Sequence, residues 1–278
     1  MPEGDTVHIV ASLIGPVLRD RVLSAARVRG RDWQRLRGRR VTEVTSKGKH
    51  LFITLDDGNC LRSHLGLFGS WHRYRDGESW LKPERQASLA LAVDGWVYVC
   101  FNAREVELAP CEAFSARDQR ARLGPDLARG NPDPVLVHRR ALELLPADTP
   151  VVDLLLDQRA ACGIGNVYKS ETLFITRRSP LLRLADLGPE DIADLYLTAA
   201  RLIQRNLGGG PRVTREAQDG RGILWVYGRA GLPCLVCGTP VRRERLGRNP
   251  RSTYWCPDCQ VHRAVERCGV ETAPPGAT

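Results

Sequence analysis

The sequence predicts an α+β protein of two lobes, a β-sandwich or flattened barrel behind a leading helix and then a helical lobe that ends in a paired-cysteine segment. Three observations predict it. Apolar residues alternate with period two between residues 41 and 101, recur at three- and four-residue spacing between 151 and 206, and give way near the C-terminus to two Cys-x2-Cys pairs. At 278 residues the chain is long enough for two domains with separate cores.

The leading helix rests on Val7, Val10, Ala11 and Ile14, and Gly15-Pro16 is expected to stop it. Residues 41–44, 51–55, 60–64, 89–93 and 96–101 read as strands, with Asp94-Gly95 a strong hairpin turn and Asp57-Gly58 a weaker one. Gly124-Pro125, Gly130, Pro132 and Pro134 mark a boundary. Beyond it, residues 151–159, 167–175 and 190–206 read as helices, the last opened by Gly188-Pro189-Glu190-Asp191 and closed by three glycines from Gly208. Between the first two of these lies Gly163-Ile164-Gly165-Asn166, a tight turn at a helix start. Its amides and Asn166 can cradle a phosphate, or the hairpin can serve packing alone. The expected division is a β domain over 1–123, a helical domain over 124–228, a cysteine-paired unit over 229–265 and a disordered tail over 266–278.

Cys234 and Cys237 precede Cys256 and Cys259 by eighteen intervening residues, a spacing suited to a four-thiolate zinc site. Two disulfides are the alternative. An odd total of nine cysteines and a start unlike a signal peptide favour zinc in a reducing, cytoplasmic setting. Cys60, Cys100, Cys111, Cys162 and Cys268 show no second pairing pattern and read as reduced thiols.

A net charge of +9 suits a polyanionic partner, although the excess is almost all arginine, with only Lys47, Lys49, Lys82 and Lys169 as lysines. Biased coding composition would give the same excess. No run of eighteen apolar residues occurs, which argues against a membrane span.

Pro2-Glu3 follows the initiator. Once Met1 is removed, Pro2 carries a secondary amine beside a carboxylate. An α-amino group with a pKa near 8 keeps a neutral fraction at pH 7, and a secondary amine forms an iminium that is cationic without protonation. The neighbouring acid can move protons. An ordinary frayed start is the other reading.

Together, Pro2-Glu3-Gly4-Asp5-Thr6, Lys47-Gly48-Lys49-His50-Leu51, Gly163-Ile164-Gly165-Asn166-Val167-Tyr168, Val226-Tyr227-Gly228-Arg229 and the four cysteines resemble the formamidopyrimidine-DNA glycosylase and endonuclease VIII family. The Gly-Asp-Thr start is most similar to actinobacterial endonuclease VIII. The resemblance spans residues 2–262 in order along the chain. It implies a β-sandwich, a helix-two-turn-helix module and a zinc-finger hairpin, with double-stranded DNA carrying an oxidised base or abasic site in the cleft between lobes, and a monomer.

On matching residues, the resemblance implies that Pro2 is the nucleophile at C1′, that Glu3 is the acid/base at the sugar oxygen, and that Lys49 acts on a hairpin beside them. It implies β,δ-elimination after base release. Asn166 and Arg251 match phosphate ligands of the helical module and finger, and one structural Zn²⁺ is held by Cys234, Cys237, Cys256 and Cys259. Lys47, Arg242, Arg243, Arg245 and Arg248 read as solvated charge. Leu67 and Phe68 are expected either to wedge into the gap left by a flipped base or to be core residues at a strand end. The segment Asn102-Ala103-Arg104-Glu105-Val106 lacks the Phe of the formamidopyrimidine branch, and residues 210–225 look short for a purine-recognition loop. Both favour oxidised pyrimidines over 8-oxoguanine. A non-catalytic damaged-DNA-binding relative, a formamidopyrimidine/8-oxoguanine glycosylase and a zinc-ribbon RNA partner are the alternatives.

Overall fold

Alternation of apolar side chains places two antiparallel sheets face to face in the computed structural model, which describes residues 1–114, 123–217 and 219–261. The strands are β1 (Ala25–Val28), β2 (Arg31–Asp32), β3 (Val41–Lys47), β4 (His50–Leu55), β5 (Asn59–His64), β6 (Ser70–Arg75), β7 (Ala87–Val93), β8 (Trp96–Phe101) and β9 (Glu105–Pro110). One sheet runs β2-β1-β7-β8-β6 and the other β3-β4-β5-β9. Leu51, Ile53 and Leu61 of one sheet meet Leu89, Leu91 and Tyr98 of the other in a single core. Asp94 and Gly95, both at positive φ, make the two-residue turn between β7 and β8.

The predicted strands all form. Those the sequence hides are the short interior β1 and three edge strands, β2, β6 and β9, and Ser70-Trp-His-Arg-Tyr-Arg in β6 has the polar character that keeps an edge from pairing with another chain. Helix α1 (Gly4–Leu18) corrects the expected stop at Gly15-Pro16. Pro16 lies in the last turn, where its missing amide forfeits one bond, and Leu18 beyond it is fully buried in the sandwich core.

The helical lobe contains α2 (Pro134–Leu144), α3 (Val151–Leu156), α4 (Asn166–Ile175) and α5 (Pro189–Arg205). Helix α2 starts at the last proline of the boundary and is absent from the expected helices; Asp133 caps it by accepting from the Val135 amide at 2.9 Å, with Pro134 at the first position. Helix α3 ends at Leu156, short of the expected Arg159, because the Gln158 side chain donates to the carbonyls of Leu156 and Ile164 and turns the chain into α4. Leu154, Leu155, Tyr168, Leu173, Leu195, Tyr196 and Ile203 form this lobe's core.

A hairpin of β10 (Arg242–Leu246) and β11 (Arg251–Trp255) closes the described chain and packs through Tyr254 and Val226 on Phe174 of α4. The two lobes meet through backbone: the Gly4 amide donates to the Gly163 carbonyl at 2.9 Å and the Gly48 amide to Asp126 Oδ2 at 3.0 Å. Among the described residues no helix is long and apolar enough to cross a membrane. Cys60, Cys100 and Cys162 are buried and outside any disulfide, and Cys111 is half-buried, whereas Cys268 and the expected 266–278 tail lie outside the described residues.

Candidate active site

Glu3 is the residue around which the site is built. Its side chain is fully buried, and its carboxylate accepts the amides of Gly165 at 2.7 Å, Val167 at 2.8 Å and Tyr168 at 3.3 Å. These are the unpaired amides at the start of α4, which a carboxylate satisfies while meeting the positive end of the helix dipole. Close approach requires glycine. A Cβ on Gly165 would lie 2.4 Å from Glu3 Cδ, and one on Gly4 would lie 2.8 Å from Gly163 Cα.

This seat corrects one expectation. The amides of the glycine turn hold Glu3 and are not a phosphate cradle; the side chain of Asn166, the one half-exposed residue at the start of α4, is what reaches the cleft.

Beside Glu3, Asp5 is gripped by Arg212 from 207 residues away, with Nε to Oδ2 at 2.7 Å and Nη2 to Oδ1 at 2.6 Å. Tyr168 donates its hydroxyl to Asp5 Oδ2 at 2.8 Å, and the guanidinium lies over the Tyr168 ring. Burial raises the Asp5 carboxyl, but the Arg212 hydrogen bond and charge, with the Tyr168 and Thr6 bonds, outweigh it and hold the group below its usual value. Arg212 Nη1 also stands 4.0 Å from Glu3 Oε1.

Above this buried floor opens a cleft of about 530 Å³ lined by Pro2, Lys49, Asn166, Arg251, Leu67 and Phe68 among others. Lys49 occupies the β3–β4 turn, where Gly48 at φ +54 packs on Cys162. Burial pushes the Lys49 ammonium below its usual value; the Glu3 carboxylate opposes that shift, and Arg212 and Arg251 add to it. Arg251, exposed at the start of β11, faces it from the finger.

His64 lines the same cleft, its ring 4.8 Å from that of His50. Burial holds both imidazoles low, His50 at about 3, so they add no positive charge to the cleft at neutral pH, where Arg104 and Arg251 supply it. Leu67 is 48% and Phe68 78% exposed, which removes the reading of these two as core residues.

Three functional positions escaped the sequence reading: Arg212, Lys169 and Glu171. Lys169 is wholly buried and its ammonium is pushed down to about 8 by desolvation, with Glu3 and Asp153 opposing. Glu171 accepts the amides of Trp225 at 2.8 Å, Val226 at 2.9 Å and Tyr227 at 2.7 Å, and the Thr214 hydroxyl as well, so it anchors the segment that leads into the finger. The available signal was two charges, three and five residues after Asn166, inside an otherwise uncharged helix.

Cys234, Cys237, Cys256 and Cys259 bring their Sγ atoms within 4.8 Å of one another. A tetrahedron with Zn–S bonds of about 2.3 Å has edges of roughly 3.8 Å, and the observed Cys234–Cys259 and Cys237–Cys256 separations are 3.8 and 3.4 Å. The donor set therefore fits one structural Zn²⁺, with four thiolates closing the shell and no position left for water. Arg242 and Arg243 lie exposed on the hairpin over Trp255 and Tyr254.

Comparison with known proteins agrees with this arrangement. The formamidopyrimidine-DNA glycosylase N-terminal domain family matches residues 1–108, and the zinc finger found in formamidopyrimidine-DNA glycosylase and isoleucyl-tRNA synthetase matches residues 231–261. The chain is 38% identical to a probable endonuclease 8 of Streptomyces coelicolor, over 94% of each chain. It is 36% identical to a DNA-(apurinic or apyrimidinic site) lyase of Mycolicibacterium smegmatis, over 94% of this chain and 99% of that one. Among solved structures, the MutM (Fpg) protein of Thermus thermophilus superposes with a TM-score of 0.76 at 28% identity, over 93% of this chain and 98% of that one. The Lactococcus lactis Fpg bound to DNA with an abasic site shares the fold with a TM-score of 0.77 at 20% identity, over 93% of this chain and 99% of that one. With both domain models matched in order and 38% identity to an endonuclease 8 over 94% of its length, the chain belongs to the formamidopyrimidine-DNA glycosylase and endonuclease 8 family.

Proposed function

We infer that this protein is a bifunctional DNA glycosylase and abasic-site lyase of base excision repair, working through a covalent iminium at Pro2. The observation that carries the reading is the convergence of Pro2, Lys49, Asn166 and Arg251 on one cleft directly above the buried Glu3. With Met1 removed, the Pro2 nitrogen attacks C1′ of the damaged nucleotide, the C1′–N bond breaks and the base departs with the bonding pair and a proton. Glu3 takes up the proton that the Pro2 nitrogen sheds after attack and delivers it to the sugar ring oxygen as the ring opens. The C1′ iminium then acidifies the C2′ proton; its loss expels the 3′ phosphate, and a second elimination expels the 5′ phosphate. Water hydrolyses the iminium and returns the free amine.

Lys49, Asn166 and Arg251 hold the backbone phosphates around the reacting nucleotide, where charged and amide donors serve as positioning contacts. Leu67 and Phe68, exposed on the loop between β5 and β6, fill the space left by the extruded base. The partner is duplex DNA with an oxidised base or an abasic site. Oxidised pyrimidines are the favoured bases. The supporting features are the missing aromatic side chain after Arg104 and the compact segment after Gly210, which is folded back by Asn206 on Val213 and by Glu171 on Trp225.

A panel of duplexes carrying one oxidised pyrimidine, one 8-oxoguanine or one abasic site tests this. Release of the pyrimidine with 3′-phosphate and 5′-phosphate ends is the expected product pattern. Binding of every duplex without base release or strand cleavage would replace the enzyme reading with a binding protein.

A further inference from the structure

Lys169 is the only lysine of the chain that is completely buried. It sits one turn into α4, and its Nζ has two partners: Asn166 Oδ1 at 3.4 Å and the Ser252 carbonyl at 3.2 Å. Among the described residues no carboxylate lies within ion-pair distance of it. Glu3 and Asp153 act on it only through space. A charge is buried here, at a cost that solvation of the ammonium by two carbonyl oxygens offsets only in part.

An ammonium can only donate. The end of the Asn166 amide that faces it must therefore be the oxygen, which turns Nδ2 toward the cleft that Asn166 lines. A phosphate in that cleft can accept from Nδ2 and could not be bound by Oδ1. The second partner, Ser252, directly follows Arg251, so the same ammonium also fixes the strand that presents the finger arginine.

We propose that Lys169 is a positioning residue that orients the Asn166 amide and holds the Arg251 strand against the start of α4, so that both phosphate ligands are aligned before DNA arrives. This rests on the assignment of Asn166 as a phosphate ligand. Preorganisation of this kind raises affinity by removing the cost of ordering the ligands on binding. Burial, which holds the ammonium near 8, adds a pH dependence: below that value Lys169 is donor-only, and above it the neutral amine can also accept, so the amide is no longer held in a single orientation. The charged groups that face it are Glu3 from the N-terminal segment, Lys49 from the β3–β4 turn, Asp153 from α3 and Arg251 from β11.

The test uses the full-length protein and a fluorescent duplex with a single tetrahydrofuran abasic analogue, titrated with wild type, Lys169→Met, Lys169→Arg, Asn166→Ala and the Lys169→Met/Asn166→Ala pair. Lys169→Met is expected to weaken Kd about tenfold, on the scale of one charge-assisted hydrogen bond, and to leave the single-turnover lyase rate at saturating enzyme within about threefold. Lys169→Arg should recover most of the affinity. In the Asn166→Ala background the Met substitution should cost clearly less than it does in wild type, because the part of its effect that passes through that amide is already lost and only the hold on the Arg251 strand remains. Wild-type affinity should fall as pH rises through 8, and the Arg variant should lack that component, a comparison between two folded proteins. Independent, multiplying effects of the two substitutions, or identical pH profiles for Lys and Arg, would overturn the positioning role. An Asn166→Ala protein with undiminished affinity would instead remove the phosphate-ligand assignment beneath it.

Discussion

Asp5 and Arg212 form a two-pronged ion pair, at 2.6 and 2.7 Å, that ties the first turn of α1 to the loop after α5. The Asp5 side chain is buried and that of Arg212 half-buried, at 5% and 15% exposure. Arg212→Ala should therefore cost about 3–5 kcal/mol, since it strands the Asp5 carboxylate. The loss should depend on pH. The Asp5 carboxyl is held below its ordinary value of 3.8, so the stabilisation is present above that pH and disappears as pH falls through the lower, folded-state value. Thermal unfolding of wild type and variant between pH 3 and 7 reads this directly, and a gap that stays constant to the acid end would refute the pairing.

Gly165 is expected to tolerate no side chain. In Gly165→Ala the new methyl would overlap the Glu3 carboxylate, and the carboxylate must leave its seat on the α4 amides. A displacement of about 1 Å costs on the order of a hundredfold in rate. Base excision measured under single-turnover conditions should fall by that factor, whereas near-normal turnover in the variant would show that Glu3 needs no such seat.

The exposed pair Leu67 and Phe68 separates stability from function. Their removal should leave unfolding unchanged to within about 0.5 kcal/mol, as for other surface positions. Phe68→Ala should still slow excision of a paired, damaged base, where unstacking must be offset, more than cleavage at an abasic site, where no base is flipped. Equal effects on the two substrates would argue against a wedge.

Metal removal should act on DNA binding before chemistry. Cys237→Ser opens the four-thiolate shell, loosens the β10–β11 hairpin and frees Arg251 from its place over the cleft. Metal analysis is expected to give about one Zn²⁺ per wild-type chain, and the variant should lose zinc and duplex affinity together. A zinc-free protein with wild-type affinity would contradict a structural role.

What the sequence revealed follows from where the physics is local. Strand β4 alternates because one face is buried, β7 and β8 read as near-continuous apolar runs because both faces are covered, and the β4–β5 and β7–β8 turns carry Asp-Gly signals. The edge strands β6 and β9 are half-solvated, so alternation is diluted by polar side chains. The four cysteines declare themselves by spacing alone. Pro2, Lys49, Asn166 and Arg251 were legible as parts of short motifs, and the cleft does gather them.

Arg212 and Lys169 were not, because each answers a charge or carbonyl far away in sequence: 207 residues separate Arg212 from Asp5, and 83 separate Lys169 from Ser252. The glycine turn left two readings open, phosphate cradle or packing, for the same reason. Its amides were already claimed by a side chain from the other end of the chain.

Covalent capture at Pro2 is the most direct measurement. Protein from which Met1 has been removed, incubated with a duplex bearing an abasic site or an oxidised pyrimidine in the presence of borohydride, should yield a stable protein–DNA adduct as the iminium is reduced. Peptide mapping should place the sugar on the Pro2 nitrogen, and protein that keeps Met1 or carries an N-terminal tag should give none. No adduct on any of these substrates with the amine free, or an adduct mapped to a lysine, would contradict catalysis by the N-terminal proline.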